Sequence, residues 1–547
     1  YEAIDLDRAE TIWEELERRA ATLPHVGWLA RTAQMERDGV RSLKQLDPEQ
    51  RRQADRALEM YRQSEQLRER GECQDAVEVA LQAFQLDSEL FPADGVRAVA
   101  GRLSLANAYL DAARPNEARQ ILADGMACVD RQLGVVHPIH MAYRRALASA
   151  LRDEGRPLQA LPLFEQAVAE AEQLFDSRHR QVALCKHELA GAYLDCGQYA
   201  KALPLEESVA ESFEKAGAAE PRDTAVALNR LAQVHRQLAH FDTCQKLLEQ
   251  SAEMMRERVG QTSVDFALAL NNLGEFYIER AEYPRAQTCL DEALRLLAGT
   301  VGREHPEYAT CLANVALLCD QQGKFGDAER MYGESLSIYE KTIGADHPRR
   351  ATVLHNLALL YVTQRDPRRA LPLLDESLRI QKSRLGEQSA AATQTLTTMA
   401  RVQASMRQSN QALDLLNLAA EGALAVYGAK HPEYARYLTE AAQLYERIGQ
   451  TDQGRQAANL ALDILETELG KRHPEYGLAL ATAGRLLQAS GEKDKGQALA
   501  RESLDILSEA LGEKHPEYLQ ALVSLGELYA TGGQSELAEI VLREALT

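Results

Sequence analysis

The chain has 547 residues, 45% hydrophobic and only 5% aromatic, with 82 acidic against 62 basic side chains and a net charge of −20. A field of that sign repels phosphate backbones and argues against nucleic acid as a partner, and no run of 18 apolar residues offers a membrane span. The eight cysteines contain no C-x-x-C pair and stand singly in helical patterns, as expected of free thiols in a reducing, cytoplasmic compartment.

Residues 1–48 stand apart from the rest of the chain. The pattern predicts a helix over 7–21 with Ile12, Trp13 and Leu16 on its apolar face, closed by Pro24. Trp28, Leu29 and Leu43 can pack with Trp13 over the open side of the next element, and both tryptophans of the chain fall here. This segment has two readings: a helical cap, or a linker from a domain upstream of Tyr1, where the chain begins without Met.

From 49 to 547 the sequence repeats with a step of 42, visible as His305-Pro306, His347-Pro348, His431-Pro432, His473-Pro474 and His515-Pro516, with His137-Pro138 opening the regular series. Each period holds two runs of helical periodicity around a short turn. One slot runs through Ser64, Ala106, Ala316, Ala400 and Gly526, and another through Ala76, Cys244, Ala328, Gly496 and Ala538. Both stay small in every period, as needed where two antiparallel helices cross closely. The expectation is an array of about twelve antiparallel helix pairs over 49–547, extended and without a single central core. Some periods depart from the pattern. Phe91-Pro92 replaces the His-Pro loop, Pro115 replaces the turn aromatic, Pro221 arrives one residue early, and Ser263 and Ser389 replace His. The turn aromatic is lost at Ser409, Thr451, Lys493 and Ser535, which predicts looser turns there, and the last helix, reaching Thr547, is short.

Leu273-Gly274-Glu275-Phe276-Tyr277, Leu357-Ala358-Leu359-Leu360-Tyr361 and Gly197-Gln198-Tyr199 together resemble the tetratricopeptide repeat. The common form of that repeat has 34 residues. A 42-residue form opening on H-P-x-x-A and carrying N-x-[LA] is similar to the kinesin light chain subtype. HEAT and armadillo arrays have a similar period but do not require the paired small slots. The resemblance implies an all-α, right-handed α-solenoid, a superhelix whose concave groove takes an extended peptide segment of a partner protein.

The histidines read as caps: Pro suits the first helical position, and Glu307, Glu433, Glu475 and Glu517 sit where the helix dipole favours an anion. A metal site would need several of them on one ion, whereas equivalent residues lie at least one helix spacing apart, about 8 to 10 Å. No nucleophile elbow, phosphate loop, H-E-x-x-H or kinase signature is present, so a non-catalytic chain with no cofactor is expected.

By the resemblance, Asn272, Asn314 and Asn356 would line the groove and bond the guest backbone, with Thr398 next in the slot; the competing role is bonding between helices. On the same face lie Glu275 and Glu279, then Leu317 and Leu359, then Arg401, Arg436, Arg447 and Arg485. Facing inward, they would make the groove acidic, then apolar, then basic, complementary to a partner with an apolar middle and an acidic stretch. Readings from other classes are a regulatory arm of a larger enzyme (a caspase-like protease, kinase or nucleotide-driven switch) and a structural assembly unit.

Overall fold

The computed structural model describes residues 6–21, 27–70, 72–133, 136–177, 179–216, 221–387 and 389–546. Pro24 and Thr547, assigned above to helix ends, lie outside them. Among the described residues there are 26 α-helices and no strand. Two helices, Leu6–Ala20 and Gly27–Gln45, precede twelve pairs that run from Pro48–Glu69 with Cys73–Leu90 to Pro516–Thr531 with Ser535–Glu544. The fold is an all-α solenoid, and no helix among the described residues is long and apolar enough to cross a membrane. Contacts divide it into two compact units: Tyr1–Ala192 with Lys341–His347, and Tyr193–Glu340 with Pro348–Thr547.

Where an A helix opens on a His-Pro pair, the pair sets its start. His137, His305, His431, His473 and His515 are N-caps with extended backbone, and each accepts from the amide two residues on, at 2.9–3.3 Å, through Nδ1. Pro at the next position lacks only a donor that would have had no helical partner. Where serine replaces histidine the cap survives: Ser263 accepts from Phe266 N (3.2 Å) and Ser389 from Ala392 N (3.3 Å).

The turn between the helices of a pair passes through the left-handed region at one slot, held by Gly197, Gly323 and Gly449 but also by Ala281, Arg365 and Arg407. The looser turns expected beyond Ser409 are not observed. Gln450 N reaches Tyr445 O at 2.8 Å and Gln534 N reaches Tyr529 O at 2.9 Å, as Glu282 N reaches Tyr277 O at 2.8 Å in a turn that keeps its aromatic. The backbone closes the turn with or without the aromatic.

Both small slots are buried. Ala316 and Ala328 are fully enclosed, and an added Cβ at Gly496 would stand 2.5 Å from Gly484 O. A third slot went unread in the sequence: Ser335 and Ser377, fully buried on B helices, donate at 2.8 Å to Ala309 O and Ala351 O of their own A helices. These hydroxyls pair with the carbonyl, so burial leaves no polar group unmet.

In the first unit, Leu43 packs with Ala54 and Phe91, and Met35 joins the core of Val77, Val99 and Leu122. Trp28 meets His137 edge-on at 6.1 Å, and the His137 ring lies 2.8 Å from Thr32 Oγ1 through Nε2. Ile12, expected on a buried face, is instead more than half exposed.

The second unit departs from the extended stack expected. Histidines of its later repeats reach back 236 residues: Nε2 of His431, His473 and His515 lies 3.0, 3.2 and 2.9 Å from the carbonyl oxygens of Asp195, Gln237 and Glu279. Each acceptor is the last residue of an A helix, so its carbonyl has no partner along its own helix. Since Nδ1 accepts an amide proton, the neutral ring carries its own proton on Nε2 and donates it to that carbonyl. The turn beneath is correspondingly tight: an added Cβ at Gly197 would stand 2.7 Å from Pro432 Cδ.

Candidate functional site

The A helices of the second unit line three cavities. One, of about 340 Å³, is bordered by Asn229, Arg236, Asn272, Glu275 and Phe276. Another, of about 720 Å³, is bordered by Arg236, Glu279, Arg401, Arg436, Glu440 and His473. The third, of about 800 Å³, is bordered by Asn356, Leu359, Arg365, Arg401, Val402 and Arg447. Arg401 borders both the second and the third, and Arg236 both the first and the second.

The asparagines divide. Asn272 and Asn356 reach cavities, whereas Asn314 donates to Asn271 Oδ1 (3.0 Å) on the preceding A helix. Asn314 therefore bonds helix to helix, the competing role for this slot. Thr398 is buried, with its hydroxyl on Gln394 O (3.1 Å) of its own helix.

The charged residues divide in the same way. Arg236 pairs with Glu275 (3.5 Å) and Glu279 (3.1 Å), Arg436 with Glu433 (3.0 Å) and Glu475, and Arg485 with Glu446 (3.1 Å). Burial raises the Glu279 pKa first of all, against the pull of Arg236. Apart from Arg436 with Glu433 on its own helix, the partners sit 39 or 43 positions apart, one step of 42 less three or plus one. That offset is legible in a sequence once A helices are known to stack, and it would have found Arg236. Arg401 and Arg447 have no such partner, and the Arg401 Nε is buried without an acceptor. Arg365 and Tyr332, which also border the cavity of about 800 Å³, were not singled out from the sequence.

The arrangement offers guanidinium and amide donors on a concave surface with apolar walls. That suits recognition of carboxylates and backbone carbonyls. The thiols of Cys185 and Cys311 are buried and pushed up to about 12 by desolvation, so they stay protonated and unreactive.

The tetratricopeptide repeat family model matches residues 139–215, 265–341, 327–383 and 478–547. No curated protein matches the sequence. Among solved structures, the chain is similar to a Podosopora anserina protein described as a kinesin light chain with nearly identical TPR-like repeats, at 25% identity over 37% of this chain and 96% of that one (TM-score 0.34). It is also similar to BtubC (BKLC) from P. vanneervenii, at 18% identity over 43% and 92% (TM-score 0.34). A Rap protein complexed with Competence and Sporulation Factor matches at 13% identity over 72% and 99% (TM-score 0.46).

Proposed function

The chain is a tetratricopeptide repeat protein, a scaffold for protein interaction, and on that premise we propose that the inner face of the second unit binds an extended segment of a partner protein without catalysing a reaction. The carrying observation is that single arginines, Arg236 and Arg401, border successive cavities, so the lining continues from one repeat to the next. Asn272 and Asn356 are the amides that bond the guest backbone. Glu275 and Glu279 are engaged by Arg236, and Arg436 and Arg485 by glutamates, so an acidic stretch of the guest meets Arg401 and Arg447. Residues 1–48 are the cap of the 49–547 array in this reading, and the eight free thiols suit a cytoplasmic setting.

Panning a library of random 12-residue peptides against the chain tests this. Enriched peptides should carry acidic residues and lose about tenfold or more in affinity on the Asn272→Ala/Asn356→Ala variant. No enrichment, or equal affinity for that variant, defeats the reading.

A further inference from the structure

In the second unit Arg236, Arg436 and Arg485 are taken by glutamates, whereas Arg365, Arg401 and Arg447 border one cavity of about 800 Å³ and their side chains make no ion pair or hydrogen bond among the described residues. A guanidinium carries five donors and keeps its charge at any working pH. Three left unpaired on one concave surface are unusual in a chain of net charge −20. Two of the donors at this cavity are buried and lack acceptors. The Arg401 Nε is buried without a partner, and so is the hydroxyl of Tyr332, whose side chain is fully enclosed. Buried donors are nearly always met, and leaving one unmet costs free energy. An oxygen-rich ligand would meet both.

We propose that this cavity binds an oxyanion, a carboxylate or phosphate, held by Arg365, Arg401 and Arg447 with Tyr332 as a further donor. Asp320 also borders the cavity, so the lining charge is three positive less one negative, which favours a dianion over a monoanion. Leu317, Leu359, Val362 and Val402 supply apolar wall, interleaved with the polar Gln321, Asn356, Thr363 and Ser405, which suits a short chain of mixed character attached to the charged group. The volume falls in the range of small-molecule sites, roughly 300 to 1,000 Å³. The proposal deepens the reading of the inner face as a peptide-binding channel by naming the group recognised, and it holds whether the anion arrives free or on a bound peptide.

Calorimetric titration of the full chain with inorganic phosphate and with glutarate, at ionic strength matched with chloride, tests it. Saturable binding of at least one anion is expected, weakened at least tenfold in Arg401→Gln/Arg447→Gln, as expected when charged hydrogen bonds are lost. The effect should be absent in Arg295→Gln, an exposed arginine at 70% side-chain accessibility. Binding of neither anion beyond chloride, or equal binding by the double variant, overturns the proposal. Should the double variant fail to fold, single Arg365→Gln and Arg447→Gln changes at exposed positions replace it, and undiminished binding by both overturns the proposal. A 12-residue peptide from the panning, made with its acidic residue as Glu and as Gln, identifies the source. A Glu preference that vanishes in Arg401→Gln/Arg447→Gln supports an anion carried by peptide. Anion binding without any peptide binding supports a free anion and defeats the channel reading alone. Peptide binding indifferent to both changes defeats this proposal and leaves the channel standing.

Discussion

His431 does two things with one ring, and His431→Asn separates them. An Asn side chain places its oxygen where Nδ1 lies and caps helices as well as any residue, but it cannot reach Asp195 O, 3.0 Å from Nε2. The lost bond costs about 1 kcal/mol at neutral pH. The larger effect is acid dependence. Burial, ahead of the opposing Asp195 carbonyl, lowers the His431 pKa to about 4, whereas an unfolded histidine titrates near 6.5. The unfolded chain binds the proton more readily, so stability is fully present above pH 6.5 and is lost as pH falls towards 4. Linkage gives a loss of about 2.5 kcal/mol at pH 4.5. Urea unfolding followed by circular dichroism, with hydrogen exchange of residues 193–199, at pH 7.5 and 4.5 reads both terms. The wild type should lose about 2.5 kcal/mol more than His431→Asn between those values, with exchange at 193–199 accelerating in parallel. Equal acid sensitivity in the two proteins would refute the reasoning.

Packing and burial lead to three other outcomes. Gly496→Ala drives a Cβ to within 2.5 Å of Gly484 O and should lower stability by about 1–3 kcal/mol, seen as a reduced thermal midpoint. Gly333→Ala, inside the helix Phe325–Thr342 with nothing within 4 Å of the new Cβ, should raise stability by about 0.5–1 kcal/mol. The buried Cys185 and Cys311 should stay unalkylated by iodoacetamide at pH 8 in the folded chain and react in urea, as peptide mass spectrometry would show; modification of both before unfolding would contradict their raised pKa.

The repeat itself was legible because its causes are local. Small residues recur wherever helices cross, and His-Pro recurs wherever a helix must start, so Ala316, Ala328 and His431 announce their roles within one period. The serine slot at Ser335 and Ser377 was hidden because alanine serves equally at Ala293 and Ala419, leaving only a weak preference for small residues. The Nε2 contacts of His431, His473 and His515 were out of reach because a separation of 236 is no multiple of 42. They join the start of one helix to the end of another, positions that a search for equivalent residues never compares. The polarity of the inner face was misjudged for a related reason. Arg485 looks free when its repeat is read alone, and Glu446 appears only when the neighbouring repeat is laid beside it; Arg436 likewise gains Glu475 there, beside the Glu433 of its own helix.

The seam of histidines has a consequence for how such a chain can change length. Its three stitches share one spacing, and each joins a type of position that every period supplies. Adding or deleting a whole period between Gln198 and Lys430 would hand each ring a fresh carbonyl of the same kind, one tooth along, as a zip tolerates being started a notch late. An insertion of two or three residues has no such remedy, since it turns helix ends away from rings. Growth by whole-unit duplication is thus permitted by the seam and growth by small insertions is opposed by it.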